Sequence, residues 1–352
     1  MEGRTSVLLL GAVTVLAFGL GVQSVIALLA VLASTAAYRL LRPATTNTHD
    51  SRPPPGVVSH VTVRVRKLAP SARFYESFGM ERLEEEDVKG TCLLRVRAAA
   101  TTWQPRIVLV EDPEMPPRGA SHFAGMTRLC LFTTDVGAET SRLAALGLVP
   151  MAPTAETNVG KISAYCDPDG FIVYIIEFKY LIGWAIRLVR AWYGSNNHTP
   201  SPFHLTVNVT DAAAANVAFE TLGFAPVSDQ TSSQVAYGLL PAFGVDAEAT
   251  EIEHIRLGSR AGDHFMACIM QYNVPKTERK GDELKNSMTV AVADAEAVAD
   301  SLRRAREAGL RVEDAARRRL PAPLGWALVG AAFVDGSRVE FCCFEDSEHD
   351  SE

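Results

Sequence analysis

The sequence lacks the residue patterns of several common functional classes. Its six cysteines include no CxxC pair and no zinc-type spacing. It has no glycine-rich phosphate loop, no GxSxG segment and no cysteine–histidine spacing that supports a nucleophile. The net charge of −7 over 352 residues provides no basic excess for nucleic acid, which requires a concentrated basic face. Most cysteines lie in apolar strand-like runs, where a free thiol behaves as a small hydrophobe, and this favours a reducing, cytosolic environment.

The N-terminal region lacks charge altogether between Arg4 and Arg39. A membrane-spanning helix needs about 20 apolar residues, so this stretch suits one long tilted helix or a hairpin broken near Gly19–Gly21. A cleaved signal peptide is a third interpretation, although its apolar core is usually about 7–15 residues. We predict a membrane anchor over residues 1–44, with residues 5–38 in the lipid bilayer, followed by a linker over residues 45–56. The arginines that follow the segment predict a membrane protein whose globular part lies in the cytosol.

Four segments of the remaining chain repeat one pattern. They begin at His60, Arg128, His204 and Ser287. Each opens with alternating apolar and polar residues, which are typical of a half-buried strand. An amphipathic run that ends at a glycine follows. In the last three segments an aspartate stands where it would cap a helix: Asp135, Asp211 and Asp294. Several short strand-like runs come after each helix, so each unit is predicted to be βαβββ.

The stretch CDPDGFIVYIIEF, which ends at Phe178, is the most specific motif of the chain. Together with the repeat and a weaker echo in FVDGSRVEFCCFE, it resembles the vicinal oxygen chelate superfamily of glyoxalase I and the extradiol dioxygenases. The resemblance implies an α+β fold of four βαβββ modules, in which two modules close a cup-shaped site. We expect the first module to pair with the second and the third with the fourth. The predicted segments are a first glyoxalase-like domain at 57–178, a connecting helix at 179–199, a second glyoxalase-like domain at 200–346 and an acidic tail at 347–352. The connecting helix either packs between the two halves or lies at a membrane interface.

Alternation along the strands predicts which side chains face each cup. The valines of the first strand belong to the helix-covered face, so the residues between them face the cup. The first cup is predicted to contain His60, Arg64, Arg128 and Tyr174. The second is predicted to contain His204, Thr206, Asn208, Ser287 and Thr289.

The resemblance also implies where a metal would bind. Its carboxylate ligand lies four residues after the glycine of the turn, which is Tyr174 in one half and Glu340 in the other. Glu177 lies three residues beyond Tyr174 and is therefore predicted to face away from the cup. Arg128 has no lone pair for a metal, so no metal is expected in the first cup. His60, Arg64 and Arg128 could instead hold an anionic group, or the arginines pair with nearby acids such as Glu111 or face solvent.

The second cup leaves two functions open. His204 and Glu340 could bind one divalent ion (Fe, Mn, Ni or Zn), with His264 as a further ligand, or could hydrogen-bond each other without metal. In the first case the protein is a metal-dependent lyase or dioxygenase in which Glu340 also serves as a base. In the second it is a binding protein, a pseudoenzyme with an incomplete ligand set, for an oxygen-rich or aromatic small molecule. Whether a homodimer completes a site stays open.

Overall fold

A computed structural model describes residues 53–83, 88–96, 105–115, 125–156, 160–178, 201–228, 252–259, 266–272 and 286–345. The predicted anchor, connecting helix, acidic tail and His264 lie outside these residues. No helix within the described ranges has the length and hydropathy needed to cross a membrane.

The four predicted βαβββ modules are all present. The first contains β1 (Val58–Val65), α1 (Leu68–Ser77), β2 (Met80–Arg82), β3 (Thr91–Val96) and β4 (Arg106–Glu111). The second contains β5 (Gly125–Phe132), α2 (Val136–Ala145), β6 (Ala155–Glu156), β7 (Gly160–Cys166) and β8 (Ile172–Phe178). The third contains β9 (Ser201–Val209), α3 (Ala212–Thr221), β10 (Phe224–Ser228), β11 (Ile252–Ser259) and β12 (Met266–Tyr272). The fourth contains β13 (Ser287–Ala291), α4 (Ala295–Glu307), β14 (Arg311–Leu320), β15 (Gly325–Val334) and β16 (Ser337–Phe344).

The helices begin and end where the repeat predicts. The side chains of Asp135, Asp211 and Asp294 accept hydrogen bonds from backbone N–H groups in the first turns of α2, α3 and α4. Such N-caps satisfy N–H groups that have no partner within the helix. The glycine after each helix has a positive φ, between 76° and 100°, which a residue with a side chain rarely adopts.

The predicted pairing of modules was wrong. The strands form two eight-stranded sheets, with orders β14-β15-β16-β13-β1-β4-β3-β2 and β10-β11-β12-β9-β5-β8-β7-β6. The first, which we call sheet A, joins modules one and four through antiparallel β1 and β13. The second, sheet B, joins modules two and three through antiparallel β5 and β9. Opening strands of repeated modules offer similar edges, so the repeat alone does not select the partner.

Modules one and two contact each other through a turn rather than through a sheet, and so do modules three and four. Asp169, in the DPDG turn of module two, accepts hydrogen bonds from the backbone N–H of Arg66 at 3.0 Å and from Ser71 Oγ at 3.3 Å. Arg66 Nε also donates to Asp169 at 2.7 Å. Helix α1 has no side-chain cap at Lys67, and the backbone N–H of Leu68 donates to Glu111 Oε1 at 3.2 Å. Asp169 binds the residue before the helix and a side chain within it. In the other half, Asp335 accepts a hydrogen bond from the backbone N–H of Thr210.

The helix-covered faces of the strands form the core. Val61, Val63 and Val65 of β1 are buried with residues of the helices in one hydrophobic cluster. The residues between these valines therefore lie on the concave face of sheet A, as alternation predicts. We call the concave face of sheet A cup A and that of sheet B cup B.

We predict that Asp169→Ala lowers the free energy of unfolding by about 2–3 kcal/mol, because a buried carboxylate with charge-assisted hydrogen bonds is lost. Asp211→Ala, which removes an ordinary helix cap, should cost about 1 kcal/mol. Urea denaturation of the two variants measures both values. Equal losses would contradict the role of the DPDG turn in joining modules one and two.

Candidate functional site

A row of four polar side chains crosses the middle of cup A. Strand register places Arg106 beside His60, His60 beside Thr289, and Thr289 beside Glu340. All four are buried, with exposed fractions of 4% for Arg106, 2% for His60, 0% for Thr289 and 7% for Glu340. The row joins β4 and β1 of module one to β13 and β16 of module four, so the sheet pairing creates it.

Both oxygens of the Glu340 carboxylate are occupied by donors. Oε1 accepts from Arg338 Nε at 2.8 Å and from Arg318 Nη1 at 3.4 Å. Oε2 accepts from Ser287 Oγ at 3.1 Å and from Thr289 Oγ1 at 2.9 Å. Four hydrogen bonds correspond to the accepting capacity of an ionised carboxylate.

These contacts keep Glu340 ionised. Burial would raise the pKa of the carboxyl group, but the charge and hydrogen bond of Arg338, together with His60 and Thr289, outweigh burial and lower the pKa below its ordinary value. Arg338 is itself held by Glu313, whose Oε2 lies 2.5 Å from Nη1. Glu340 is thus a fixed negative charge in an ion-pair network.

His60 is the uncharged member of the row. Burial lowers the pKa of its imidazole to about 4, and the positive charge of Arg106 acts in the same direction, while Glu340 partly opposes both. The His60 Nδ1 atom lies 2.8 Å from Ser59 Oγ. No residue in the described ranges forms a hydrogen bond with Nε2. The ring therefore presents one nitrogen to cup A.

An apolar wall stands beside this polar row. Leu93, Val108 and Leu324 are buried together, and Leu83, Val110, Leu320 and Phe344 pack against them. Val108 alternates with the core residues Ile107 and Leu109 and so lies on the concave face. Leu324, from the turn between β14 and β15, extends module four over module one. Cup A therefore combines a polar floor with an apolar side.

Cup B contains a different set of side chains, centred on Arg128. This arginine is fully buried. It donates from Nη1 to the Tyr174 hydroxyl at 3.3 Å and from Nη2 to Asn208 Oδ1 at 2.5 Å, and Nη2 also lies 3.4 Å from Met270 Sδ. Thr206 lies next to Arg128 in the register and is also buried. Cup B is thus a polar cluster arranged around one cation.

The structure regroups the predicted site residues. Arg128 and Tyr174 meet as predicted, but with Thr206 and Asn208 rather than with His60. Ser287 and Glu340 also meet, and His60 joins them. His204 lies on β9 of sheet B and Glu340 on β16 of sheet A, so the predicted His204–Glu340 pair is wrong. The reason is the module pairing, which separates the third module from the fourth.

Two other predicted residues have defined roles. Glu177 faces the helices, as predicted, and its Oε2 accepts a hydrogen bond from the backbone N–H of Val136 at 3.0 Å. Arg64 forms an ion pair with Asp112 at 3.0 Å, so it belongs to the end of β1 rather than to the polar row.

Sequence reasoning missed three cationic residues of cup A: Arg106, Arg318 and Arg338. The sequence contains a pattern that indicates the position of two of them. Alternation places Arg106 on the same face as Val108, and it places Arg338 on the same face as Glu340. Arg318 is harder to assign, because the register between β14 and β15 shifts between Glu313 and Ala316.

The donor set of cup A does not fit the divalent metal that the resemblance implies. Arg106 has no lone pair, and the oxygens of Glu340 already accept from two guanidinium groups and two hydroxyls. A metal at Glu340 would have to displace Arg338, whose charge would repel it. Within the described part of the chain, no group of three His, Cys, Asp or Glu side chains is placed to hold a metal ion.

Comparison with known proteins confirms the resemblance seen in the sequence. Residues 57–175 match the family model described as the Glyoxalase/Bleomycin resistance protein/Dioxygenase superfamily. The search of curated proteins found no match. Glyoxalase I from Zea mays has a similar fold, with a TM-score of 0.54 and 15% identity over 82% of this chain and 92% of that one. A putative dioxygenase from Bacillus subtilis has a TM-score of 0.55 and 12% identity over 83% of this chain and 86% of that one. At such low identities these two structures show the fold alone.

We predict that His60 makes folding sensitive to mild acid. Its pKa in the folded protein is about 4, below the unfolded value of 6.5. As pH falls below 6.5 the unfolded chain takes up a proton that the folded chain does not, so stability decreases until the pH reaches the folded pKa. Between pH 7 and pH 5 the loss should be about 2 kcal/mol.

The measurement is urea denaturation of the wild-type protein and of His60→Gln at both pH values. The variant should lose less stability between them, because its side chain does not titrate. Glu340 and Arg106 remain charged in both proteins over this interval. Equal losses in the two proteins would contradict the prediction.

Proposed function

We propose, because residues 57–175 belong to the Glyoxalase/Bleomycin resistance protein/Dioxygenase superfamily, that the protein binds a small molecule in cup A. In this proposal cup A needs no resident metal ion. The observation that carries the proposal is the combination of one outward-facing imidazole nitrogen with an apolar wall in the same cup. Small-molecule sites are usually lined by apolar side chains with a few placed polar groups.

Each part of cup A has a role in such binding. Val110, Leu320 and Phe344, which pack against the buried apolar cluster and are only partly buried, supply apolar surface that favours an apolar ligand body. Arg338, Ser287 and Thr289 hold Glu340 rigidly as a charge within the floor. His60 supplies the polar contact that orients the ligand. A rigid floor of this kind reduces the cost of ordering side chains on binding.

The alternative function is a metal-dependent lyase or dioxygenase. One observation favours it: the structure brings His60 and Glu340 into one cup, where the Glu340 carboxylate acts on the pKa of His60. In this reading His60 and Glu340, rather than His204 and Glu340, would be the ligands, and Arg338 would have to release the carboxylate. The ion pair between Arg338 and Glu340 is the reason that we rank this function second.

The proposal keeps the predicted anchor. Residues 1–44 would hold the protein at a membrane, with cup A in the cytosol, as the distribution of arginines in the sequence indicates.

The test is a thermal-shift and ligand-observed NMR screen of small aromatic and oxygen-rich molecules against the full-length protein. For a molecule that binds, His60→Leu should weaken binding by about tenfold, which corresponds to about 1.4 kcal/mol. The matched control is Tyr174→Phe, which removes a hydroxyl from cup B and should leave the affinity unchanged. Weaker binding in Tyr174→Phe together with unchanged binding in His60→Leu would place the ligand in cup B and overturn the proposal.

Metal content decides between the two functions. We expect the full-length protein, purified without chelator, to contain far less than one equivalent of iron, manganese, nickel or zinc. One equivalent that disappears in both His60→Leu and Glu340→Gln would support the alternative instead.

A further inference from the structure

Ser59 occupies an irregularity in β1 that brings it to the side of its neighbour His60. The register between β1 and β13 shifts between Val58 and His60, which pair with Val290 and Thr289. Successive side chains on a regular strand point to opposite faces, but a bulge re-aims one of them. As a result, Ser59 Oγ lies 2.8 Å from His60 Nδ1 and 3.3 Å from the carbonyl oxygen of Thr289. Ser59 is completely buried.

These two contacts determine the tautomer of His60. A serine hydroxyl has one proton, and the Thr289 carbonyl can only accept a hydrogen bond. Both contacts form together only if Ser59 donates to the carbonyl and accepts from His60, so Nδ1 carries the ring proton. A neutral imidazole has a single N–H. Nε2 therefore has a lone pair and is an acceptor.

The surroundings of Nε2 restrict what can donate to it. His60 is only 2% exposed, and within the described ranges no side chain or backbone group donates to Nε2. A ligand that enters cup A and shields Nε2 from water must itself supply a donor, because a buried acceptor without one is unfavourable by about 1–3 kcal/mol. An ammonium donor would face repulsion from the charge of Arg106 beside His60, whereas the charge of Arg338 is balanced by Glu340 and Glu313. A carboxylate has no proton to donate. A neutral hydroxyl meets both conditions.

We infer that cup A selects a small molecule with a neutral hydroxyl group on an apolar body, and that the hydroxyl donates to His60 Nε2. Ser59 is the positioning residue that keeps this nitrogen unprotonated. The apolar body lies against Val110, Leu320 and Phe344, which are only partly buried and pack on the apolar cluster next to the polar row. This inference rests on the proposed function and specifies its ligand class.

The first test concerns the tautomer and needs no ligand. The side-chain ¹⁵N resonances of His60 in the full-length protein, assigned with His60→Gln, distinguish a protonated ring nitrogen from an unprotonated one. We expect protonated Nδ1 and unprotonated Nε2 in the wild-type protein and in Ser59→Thr, which retains a hydroxyl. Ser59→Ala should move the ring toward the other tautomer. Protonated Nε2 in the wild-type protein, or an unchanged tautomer in Ser59→Ala, would overturn the inference.

The second test uses two matched probes, para-propylphenol and its methyl ether para-propylanisole. They share the apolar body, and only the phenol can donate a hydrogen bond. We expect the phenol to bind about tenfold more tightly to the wild-type protein and to Ser59→Thr. Ser59→Ala should reduce this ratio, and binding of the phenol should shift the His60 Nε2 resonance.

The outcomes of the second test distinguish failure of this inference from failure of the proposed function. Equal affinities for the two probes would overturn the inference and leave binding in cup A intact. A preference for the phenol that persists in His60→Leu would also overturn it. Failure of both probes to bind a folded wild-type protein would count against the inference and against the proposed function together.

Discussion

Antiparallel pairing of opening strands from different modules is the constraint on which the rest of the structure depends. The β1–β13 pair joins residues more than two hundred positions apart, and it alone brings His60 next to Thr289 and Glu340. The β5–β9 pair does the same for Arg128 and Asn208. Closing so long a loop costs conformational entropy. The extensive ladders of both sheets and a shared core offset that cost.

Two kinds of contact join the modules, and each kind joins different pairs of modules. Strand pairing joins modules one and four, and it joins modules two and three. The aspartate turns join module one to module two through Asp169, and module three to module four through Asp335. The DPDG motif is therefore structural in this chain, since Asp169 binds Arg66 and Ser71 of module one and Asp167 closes its own turn. Each module touches two different partners, and this ties both sheets into one core.

The charges around Glu340 and His60 determine which ligands cup A can bind. A buried ion pair keeps a carboxylate ionised but also uses its oxygens as hydrogen-bond acceptors. Arg338 and Arg318 bind Glu340 in this way. The charges beside His60 act on it in opposite directions, and burial then leaves the imidazole neutral. A fold associated with metal chemistry thus holds an internal salt bridge and one neutral acceptor at its centre. The proposal that cup A binds a neutral ligand rests on this arrangement.

The sequence by itself determined the modules and their faces, because both follow from short-range patterns. The capping aspartates, the glycines with positive φ and the alternation along strands act over a few residues, so the orientations of His60, Glu177 and Glu340 could be predicted. Only the tertiary structure decided which residues share a cup. The four opening strands offer similar edges, and the choice among them depends on contacts across the whole chain, which no local pattern encodes. For that reason Glu340 meets His60 and not His204. The position of Arg106 beside His60 likewise follows only from the register between β1 and β4.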